Sequence, residues 1–553
     1  MNPAAQKKIG HRIKAILFDF DGTLTLPGAL DFNAIKRSIA CPPEMAILEY
    51  IDTIDEPARK ANVNMILDRA EEEAASKSKP NEGAEELLLW LKGNGILIGV
   101  ITRNAMAPVI RSLDNFNHLS IDDFDVVITR EEPIQPKPSP ESVLLAMERL
   151  NSDKSETLMV GDYLFDITAG NKAGVTTVLI PIPGEQRDVS GWGQDLEITR
   201  LLELRDLVDF YLPLSGGKLP NRFLHNFLTS LEIKDPSILI SPGVGEDTTA
   251  IDIEDNEVLI LKSDPVTFVS DAAAYYAVTV NANDIATSGA VPRWFLSTLL
   301  FPPGTTPSEI VTVMTEVRDC CRQIGITLCG GHTEITDAVT RPVVTGMVAG
   351  IVNRAGLIDK KDLSEGDQVL MTKAVSIEGT SILAREFEQQ LLKNGLTRNE
   401  INAGKQFLEQ ISIIPEAAIA AAGKGVTAMH DITEGGLATA LEELSHAGNQ
   451  RITVDVDRIP IHDLTRRMCT IFGLDPLGLI GSGSLLISCS TDHVDRLIWD
   501  LEKAGIQVTI IGKVLASGHG IQAEASGREV EWPSFEADEL SRLYQSASVQ
   551  VPE

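Results

Sequence analysis

The stretch LFDFDGTLT at residues 17–25 decides how the first part of this chain folds. A short hydrophobic run ends in two acids one residue apart, Asp19 and Asp21, and Gly22 and Thr23 follow directly. If the run is a buried strand of an open α/β sheet, its acids lie outside the carboxyl end of that strand, where such sheets bind ligands. An ordinary strand-to-turn ending fits the same letters, so the rest of the sequence has to decide between the two interpretations.

Strand and helix patterns alternate over residues 11–212. Strands are predicted for IKAILFDF, ILIGVITRN, VVIT and TLMVGD, and helices for EGAEELLLWLKGNG and PESVLLAMERLN. This alternation predicts an α/β domain with a doubly wound parallel sheet. Residues from about 30 to 80 interrupt the pattern with helical, charge-rich sequence such as MILDRAEEEAASKSK. We expect this insertion to cover the end of the first strand as a lid.

Polar residues follow several of these strands, at or just after the strand ends. They are Asp19, Asp21, Thr102, Lys137, Asp162 and Asp166. A doubly wound sheet gathers such residues at one edge. Each of them taken singly is better explained as a turn residue, a surface lysine or a helix cap. All of them in this order are strong evidence for one site.

These residue types suit the transfer of a phosphoryl group to a carboxylate. Asp19 is the predicted nucleophile, and its approach to a phosphate dianion requires Mg²⁺ held by the later aspartates. Asp21 would protonate the leaving oxygen and then activate water. Thr102 and Lys137 would hold the transferred phosphoryl oxygens through a hydroxyl group and a fixed cation.

With these motifs, residues 11–212 resemble the phosphatases of the haloacid dehalogenase superfamily, with the helical insertion as a small cap. The resemblance implies hydrolysis of a small phosphorylated metabolite through an aspartyl-phosphate. The catalytic residues that it implies are Asp19, Asp21, Thr102 and Lys137. The Mg²⁺ ligands that it implies are Asp19, Asp21, Asp162 and Asp166. Cap sequences vary among such enzymes, so the substrate is not predicted.

A break at PLSGGKLPN, near residue 213, begins a second section of different character. Segments rich in Val, Thr and Ala alternate there with glycine-bearing loops, which predicts an α+β mixture with sizeable sheets. A further break within AGLIDKKDLSEGDQVLMTK divides this half into predicted domains of residues 216–355 and 356–520.

Acids stand beside glycine-bearing loops throughout this second half. The stretches are PGVGEDTTAID, ILKSDPVTF, NANDIATSGAVP, CGGHTE and MHDITEGGLATALEEL. Loop N–H groups can approach phosphates closely while carboxylates hold the neutralising cation, so the pattern fits a Mg-nucleotide site. Turns and caps are the alternative, and they explain Asp284 least well, because a charge among small packed residues is costly without a partner. The sequence has no GxxxxGK[ST] motif and is therefore not a P-loop enzyme.

In this order the stretches resemble the aminoimidazole ribonucleotide synthetase-like superfamily, which includes selenophosphate synthetase, thiamine-monophosphate kinase and the hydrogenase maturation factor HypE. The resemblance covers residues 216–520 and implies ATP and Mg²⁺ as cofactors and a homodimer formed through this part of the chain. The implied metal ligands are Asp247, Asp264, Asp284 and Asp431. The implied nucleotide-binding residues are Gly243, Gly245, Asn283, Gly330, Gly331 and His332.

Two departures from the family pattern bear on the reaction. The first motif has Glu246 and Asp247 where an Asp-Asp pair is usual. Among these proteins, the motif sequences and their spacing are most similar to those of HypE. HypE delivers a carbamoyl group on a C-terminal cysteine. This sequence ends in SASVQVPE, with Cys489 as its last cysteine, so the reaction of HypE itself is not the expected one.

The amino-acid composition argues against some classes of binding partner. The formal net charge of −31 at pH 7, with no basic patch, argues against nucleic acid and anionic membranes. The six cysteines form no C-x-x-C pair and no cluster with zinc spacing. The N-terminal MNPAAQKKIGHRIKAILFDF is neither a signal peptide nor a membrane span. We therefore expect a cytoplasmic protein with reduced thiols.

The expected function is that of a bifunctional enzyme. Its first part would hydrolyse a phosphomonoester, and its second part would use ATP to phosphorylate or activate a small molecule. One alternative is a phosphatase attached to a regulatory ATP-binding or dimerisation module. Another is a HypE-like maturation factor that holds a partner with a metal centre.

Overall fold

The computed structural model describes residues 8–182, 188–214, 217–240, 250–266, 272–535 and 537–548. The chain divides into two compact units. The N-terminal unit comprises Met1–Ser215 and Gly304–Ile310, and the C-terminal unit comprises Gly216–Pro303 and Val311–Glu553. The predicted domain bounds, including the division near residue 355, stay predictions.

Parallel strands form the sheet of the N-terminal unit. They are β1 (Ala15–Phe18), β2 (Leu97–Ile101), β3 (Val126–Ile128), β4 (Thr157–Gly161), β5 (Thr176–Leu179) and β6 (Leu196–Glu197). Their spatial order is β3-β2-β1-β4-β5-β6. The central strand β1 pairs Ala15 with Leu97 on one side and with Thr157 on the other. The carboxyl ends of all these strands therefore lie along one edge.

Helices cover this sheet and the end of β1. They are α1 (Phe32–Ile39), α2 (Ile47–Asp52), α3 (Pro57–Lys77), α4 (Ala84–Gly93), α5 (Met106–Leu113), α6 (Glu141–Leu150), α7 (Leu164–Ala173) and α8 (Glu203–Asp209). Alternate residues of β1 enter two different cores: Ile16 packs with Leu88 of α4, and Leu17 packs with Val143 of α6. Because a strand points successive side chains to opposite faces, both faces of the sheet are covered. The predicted doubly wound sheet is confirmed.

The helices α1, α2 and α3 form the insertion between β1 and β2, and we call them the cap. The cap has an apolar core of its own, to which Ile35, Tyr50, Ile51 and Leu67 contribute. Helix α1 begins at an Asp31 side chain that accepts a hydrogen bond from the backbone N–H of Ala34 at 2.9 Å, a typical N-cap. The predicted helical insertion is therefore present.

The first part of the C-terminal unit contains a mixed sheet with the order β10-β13-β11-β12-β7. Its members and the elements around them are β7 (Gly217–Lys218), α9 (Asn221–Thr229), β8 (Ile238–Ile240), β9 (Ala250–Ile251), β10 (Glu257–Val266), α10 (Ala273–Thr287), β11 (Val291–Phe301), α11 (Pro307–Ile324), β12 (Thr327–Ile335) and β13 (Val343–Asn353). Helix α10 packs against β10 and β13. The short strands β8 and β9 form a separate antiparallel pair.

A second mixed sheet follows, with the order β15-β17-β14-β18-β16-β19-β20. Its strands and helices are β14 (Gln368–Thr372), α12 (Ile377–Glu386), α13 (Glu388–Lys393), α14 (Arg398–Gln406), α15 (Ile414–Ala422), β15 (Val426–Asp431), α16 (Gly436–Gly448), β16 (Gln450–Asp455), α17 (Asp463–Phe472), β17 (Leu485–Cys489), α18 (Val494–Lys503), β18 (Val508–Ser517), β19 (Ile521–Ala525), β20 (Arg528–Val530) and α19 (Glu539–Ser548). The predicted α+β character is confirmed. Within the described ranges, no helix combines the length and apolar character needed to cross a membrane.

Candidate active site and candidate nucleotide site

A buried lysine joins two of the predicted site carboxylates at the carboxyl edge of the parallel sheet. The ammonium group of Lys137, on the loop between β3 and α6, donates to the carboxylate of Asp19 and to Oδ1 of Asp166, the latter at 2.6 Å. Burial opposes the charge of Lys137, but the two carboxylates raise its pKa above the ordinary value. Burial also raises the pKa of Asp19, and the Lys137 cation acts against that shift. Removal of the lysine would therefore leave buried like charges facing each other.

Three carboxylates at this edge can share one metal ion. One oxygen each from Asp19, Asp162 and Asp166 lies within 4.8 Å of the other two. Hard carboxylate oxygens on adjacent strand ends are the donor set that Mg²⁺ prefers, so these residues fit the implied ion. Asp21, which the sequence also suggested as a ligand, does not belong to this group of described residues.

Asp21 has a different environment from Asp19. One of its carboxylate oxygens accepts a hydrogen bond from Nδ2 of Asn104 at 2.6 Å. Burial raises the pKa of Asp21 to about 6. A carboxyl group with this pKa can release and take up a proton near neutral pH, which suits a general acid and base. The sequence patterns did not reveal Asn104, because its contact joins residues 83 positions apart.

Thr102 and Gly22 shape the same edge. Thr102 lies at the end of β2, buried, and its hydroxyl oxygen accepts a hydrogen bond from the backbone N–H of Asn104 at 3.1 Å. Gly22 has a φ of +86°, and a Cβ there would lie 2.7 Å from a carboxylate oxygen of Asp162. The Gly in DGT is thus required both by its backbone conformation and by the close approach of Asp162, a carboxylate of the candidate metal site.

The cap contacts the edge of the sheet through ion pairs that the sequence patterns did not predict. Arg130, after β3, pairs with Glu71 and Asp68 of α3. Arg103, after β2, pairs with Oε2 of Glu49 of α2 at 2.6 Å. Burial raises the pKa of Glu71 to about 7 in spite of the adjacent arginine. The cap is therefore attached to the two loops next to the candidate active site.

In the C-terminal unit, Lys262 joins two of the predicted metal ligands. Its Nζ lies 2.8 Å from Oδ2 of Asp264 and 3.3 Å from Oδ2 of Asp284. Burial, followed by the charge of Asp431, raises the pKa of Asp284 to about 7. A role for Lys262 in this cluster was not predicted. Lys262 lies two residues before Asp264, and two side chains at this spacing share a face only when the segment is a strand.

Asp431 and Glu378 add two buried carboxyl groups near this cluster. Oδ2 of Asp431 is buried and has no hydrogen-bond partner among the described residues. Glu378 accepts a hydrogen bond from the backbone N–H of Ser482 at 3.2 Å. Burial, with the charges of Asp538 and Asp431 adding to it, raises the pKa of Glu378 to about 7. The unpartnered oxygen of Asp431 fits the site of a cation.

The predicted nucleotide-binding residues on β12 lie apart from this cluster within one chain. The register places Asp264, Gly346, Ser297 and Gly331 in one row across β10, β13, β11 and β12. Three strand spacings of about 4.8 Å separate Asp264 from Gly331 by roughly 14 Å. A Cβ at Gly331 would lie 2.3 Å from the carbonyl oxygen of Ser297, so packing by itself explains this glycine. Gly330 precedes it on the strand, and His332 Nε2 lies 3.5 Å from Oε2 of Glu334.

Asn283 is placed in the core rather than at an open surface. Its side chain donates to the carbonyl oxygen of Ile411 at 2.8 Å and accepts from the N–H of Ile413 at 2.9 Å. These bonds link α10 to the segment before α15, which favours a structural role. Gly243, Gly245 and Asp247 lie outside the described residues.

The two units of the chain match different protein families. Residues 16–180 match the family described as haloacid dehalogenase-like hydrolase. Residues 245–352 match the N-terminal domain of AIR synthase related proteins, and residues 364–523 match their C-terminal domain.

Individual relatives resemble either one half or the other. The N-acetylmuramic acid 6-phosphate phosphatase of Pseudomonas aeruginosa is 30% identical over 222 residues, covering 36% of this chain and 96% of that protein. The carbamoyl dehydratase HypE of Cupriavidus necator is 24% identical over 284 residues, covering 49% of this chain and 77% of that protein. The crystal structure of Escherichia coli HypE has the same fold, with a TM-score of 0.50 and 20% identity over 59% of this chain and 100% of that one.

Fold and site together define the class of each unit: a capped α/β domain with a lysine-bridged acidic site, and an α+β unit with two mixed sheets. The chain belongs to the haloacid dehalogenase-like hydrolases through its N-terminal unit. Its C-terminal unit contains regions that match the N-terminal and C-terminal domains of AIR synthase related proteins. Both resemblances drawn from the sequence are confirmed.

Replacement of Glu378 by Gln tests the buried acid cluster of the C-terminal unit. Burial raises the pKa of Glu378 to about 7 in the folded chain, above the ordinary value of 4.5 for a glutamate. Folding therefore favours the protonated form, and this stabilisation is present below pH 4.5 and lost as the pH rises through 7. Because Gln resembles the protonated acid, Glu378→Gln should raise the free energy of unfolding at pH 8 by roughly 3 kcal/mol and leave it unchanged near pH 4.

Urea unfolding of the full chain from pH 4 to pH 8 measures this effect. Glu365→Gln, at an exposed loop position before β14, is the matched control and should follow the wild-type curve. A Glu378→Gln variant that is less stable than wild type at pH 8 would show that the ionised carboxylate is compensated in the folded chain.

Proposed function

We propose that the N-terminal unit hydrolyses a small phosphomonoester through a phosphoryl group carried on Asp19. The observation that supports this most is the contact of one ammonium group, that of Lys137, with Asp19 and Asp166 beside Asp162. Lys137 keeps Asp19 ionised in a buried place, so that its oxygen can attack phosphorus. Asp162 and Asp166 would hold Mg²⁺ together with Asp19, and the ion would neutralise charge on the phosphate.

The proposed reaction has two steps. An oxygen of Asp19 forms a bond to phosphorus as the bond to the alcohol oxygen breaks, and Asp21 gives its proton to that leaving oxygen. Water then attacks the phosphorus of the aspartyl-phosphate and gives a proton to Asp21. The bond between the Asp19 oxygen and phosphorus breaks, which releases inorganic phosphate and restores the Asp19 carboxylate. Asn104 holds the Asp21 side chain for both proton transfers. Release of phosphate from 4-nitrophenyl phosphate, with Mg²⁺ and with a chelator, tests the proposal.

We propose that the C-terminal unit binds Mg-ATP and uses it to phosphorylate or activate a small molecule. The support is the pairing of Lys262 with Asp264 and Asp284 and the charge of Asp431 acting on Asp284, in a unit that matches AIR synthase related proteins. The relative HypE is named a carbamoyl dehydratase, which keeps a HypE-like maturation role as the second candidate. In that case a protein with a metal centre, rather than a free metabolite, would receive the product.

Asp284→Asn should weaken binding of Mg-ATP by at least about tenfold, because even indirect partners of metal ligands change metal affinity by 10- to 100-fold. Isothermal titration calorimetry with Mg²⁺ and a non-hydrolysable ATP analogue measures the affinity. Asp255→Asn, in the exposed turn before β10, is the control. If the affinity of Asp284→Asn for Mg-ATP equals that of wild type, Asp284 does not bind the metal and has a structural role only.

We propose that two chains associate through the mixed sheet that contains β10. β10 is an edge strand, and it leaves Leu259 and Leu261 exposed by 42% and 55%, next to Met347 of β13. Exposed apolar residues on one sheet face are typical of an association surface. Sedimentation should show a dimer for wild type and a monomer for Leu261→Asp, with Leu144→Asp on α6 as the control. A monomeric wild-type protein would contradict the proposal.

A further inference from the structure

Aromatic rings and one arginine connect the loops of the candidate active site, and the proposed hydrolysis leaves them without a role. We call Arg103, Tyr163, Phe165 and Trp192 the aromatic rim. The ring of Tyr163 meets those of Phe165 and Trp192 edge to face, at centroid distances of 5.0 and 5.8 Å. The guanidinium carbon of Arg103 lies 5.0 Å from the centroid of Phe165. The rim is thus one continuous set of contacts.

The aromatic rim lies next to the reacting groups. Tyr163 directly follows the metal-binding Asp162, and Arg103 directly follows Thr102. The Arg103 guanidinium also donates to the backbone carbonyl of Lys137. Asp162 is 9% exposed, whereas Tyr163 is 41% exposed. A large apolar ring is therefore presented to incoming molecules one residue away from the buried acids.

The enclosed cavity beside Asp21 is too small for the body of a substrate. The cavity there, under the cap, is lined by Asp21, Asn104 and Glu71 among others and measures about 10 Å³, enough for one water molecule. A sugar or ring attached to the leaving oxygen therefore has to lie outside this cavity. The aromatic rim offers an exposed surface next to the reacting groups, through Tyr163.

We propose that the aromatic rim binds a planar ring of the substrate. The substrate class is then a phosphomonoester whose alcohol part carries a heteroaromatic ring. Such a ring can stack on the exposed ring of Tyr163, and stacking on aromatic side chains tolerates many ring types. This inference rests on the proposed phosphatase function and gives it a substrate class.

The test compares two phosphate esters with the same leaving CH₂–O group, adenosine 5′-monophosphate and ribose 5-phosphate. With the full-length chain and Mg²⁺, kcat/KM for the nucleotide should exceed that for the sugar phosphate at least about fivefold, the effect of one stacked ring. Tyr163→Leu should reduce this ratio toward one, and Tyr163→Phe, which keeps the ring, should restore it. Trp499→Leu, at an exposed aromatic residue of the C-terminal unit, should keep the wild-type ratio.

Two different failures can be told apart. If wild type hydrolyses 4-nitrophenyl phosphate but shows a ratio near one, or if Tyr163→Leu keeps the wild-type ratio, the aromatic rim does not select the substrate and the phosphatase function stands. If neither ester nor 4-nitrophenyl phosphate is hydrolysed, the proposed function itself is wrong, and this inference is wrong with it.

Discussion

Asp19→Asn will remove phosphomonoester hydrolysis, with an expected loss in kcat of at least about a thousandfold, as is typical when a nucleophile is replaced. The amide keeps the size of the side chain and an oxygen that can accept from Lys137, so the fold should persist. It lacks the anionic oxygen that forms the bond to phosphorus. Phosphate release from 4-nitrophenyl phosphate in the presence of Mg²⁺ measures the loss.

Asp52→Asn is the matched control, because the Asp52 side chain is 79% exposed on the cap and forms an ion pair with Lys60 at the surface. It should keep wild-type activity, since such exposed pairs contribute little. The affinity of Asp19→Asn for Mg-ATP should equal that of wild type, which shows that the C-terminal unit is intact. Hydrolysis at the full rate in Asp19→Asn would assign the nucleophile to another residue.

Lys137→Met will destabilise the N-terminal unit by about 3 to 5 kcal/mol in the absence of metal, because it removes one partner from a buried ion pair. Lys137 is 2% exposed, and without it Asp19 and Asp166 would face each other uncompensated. Mg²⁺ should restore part of the lost stability, because a dication bound by the same carboxylates replaces the missing charge. Thermal unfolding with and without Mg²⁺ measures both effects.

Lys77→Met is the control for this second variant. Lys77 pairs with Glu73 one turn away on α3, and both side chains are 67% exposed, so the expected change is a few tenths of a kcal/mol. If Lys137→Met is as stable as wild type without metal, the carboxylates are not held together by this lysine. If Mg²⁺ stabilises wild type but has no effect on the variant, the two cations do not act on the same group of acids.

The positions of several residues of the N-terminal site could be predicted from sequence. In a parallel sheet the carboxyl ends of the strands lie along one edge, so residues that directly follow the strands lie there together. Asp19, Thr102 and Asp162 follow the adjacent strands β1, β2 and β4, so recognition of the strands was enough to place them. Lys137 follows β3 by several residues, and its match to a motif, rather than any periodicity, indicated its place. The doubly wound sheet followed from the same alternation.

Side-chain contacts between segments that are distant in sequence could not be predicted. Asn104 reaches Asp21, and Arg130 reaches Glu71 of the cap, through side chains whose positions depend on loop conformation. Neither residue belongs to a periodic pattern, and an asparagine or arginine after a strand is ordinary. The same holds for Lys262, whose role appears only when β10 and α10 are packed together.

Two residues of the C-terminal unit show the opposite error, in which the sequence suggests a ligand-binding role and the structure offers a structural explanation. Asn283 and Gly331 resemble ligand-binding residues in sequence, yet the buried hydrogen bonds of Asn283 and the close approach of Gly331 to Ser297 give each a structural explanation. A glycine required by packing and a glycine required by phosphate look alike in one sequence. Their predicted roles at the nucleotide therefore stay predictions.

The central claim, that Asp19 carries the phosphoryl group, is tested most directly by trapping that group. Asp21→Asn can still be phosphorylated by 4-nitrophenyl phosphate, whose leaving group needs no proton, but it lacks the base that activates water. After brief incubation with Mg²⁺ and acid quenching, mass spectrometry of the peptide containing residues 15–25 should show one added phosphoryl group on Asp19, absent when Asp19→Asn is combined with Asp21→Asn. An unmodified Asp19 peptide in a protein that releases 4-nitrophenol, or a phosphoryl group on another residue, would contradict the account.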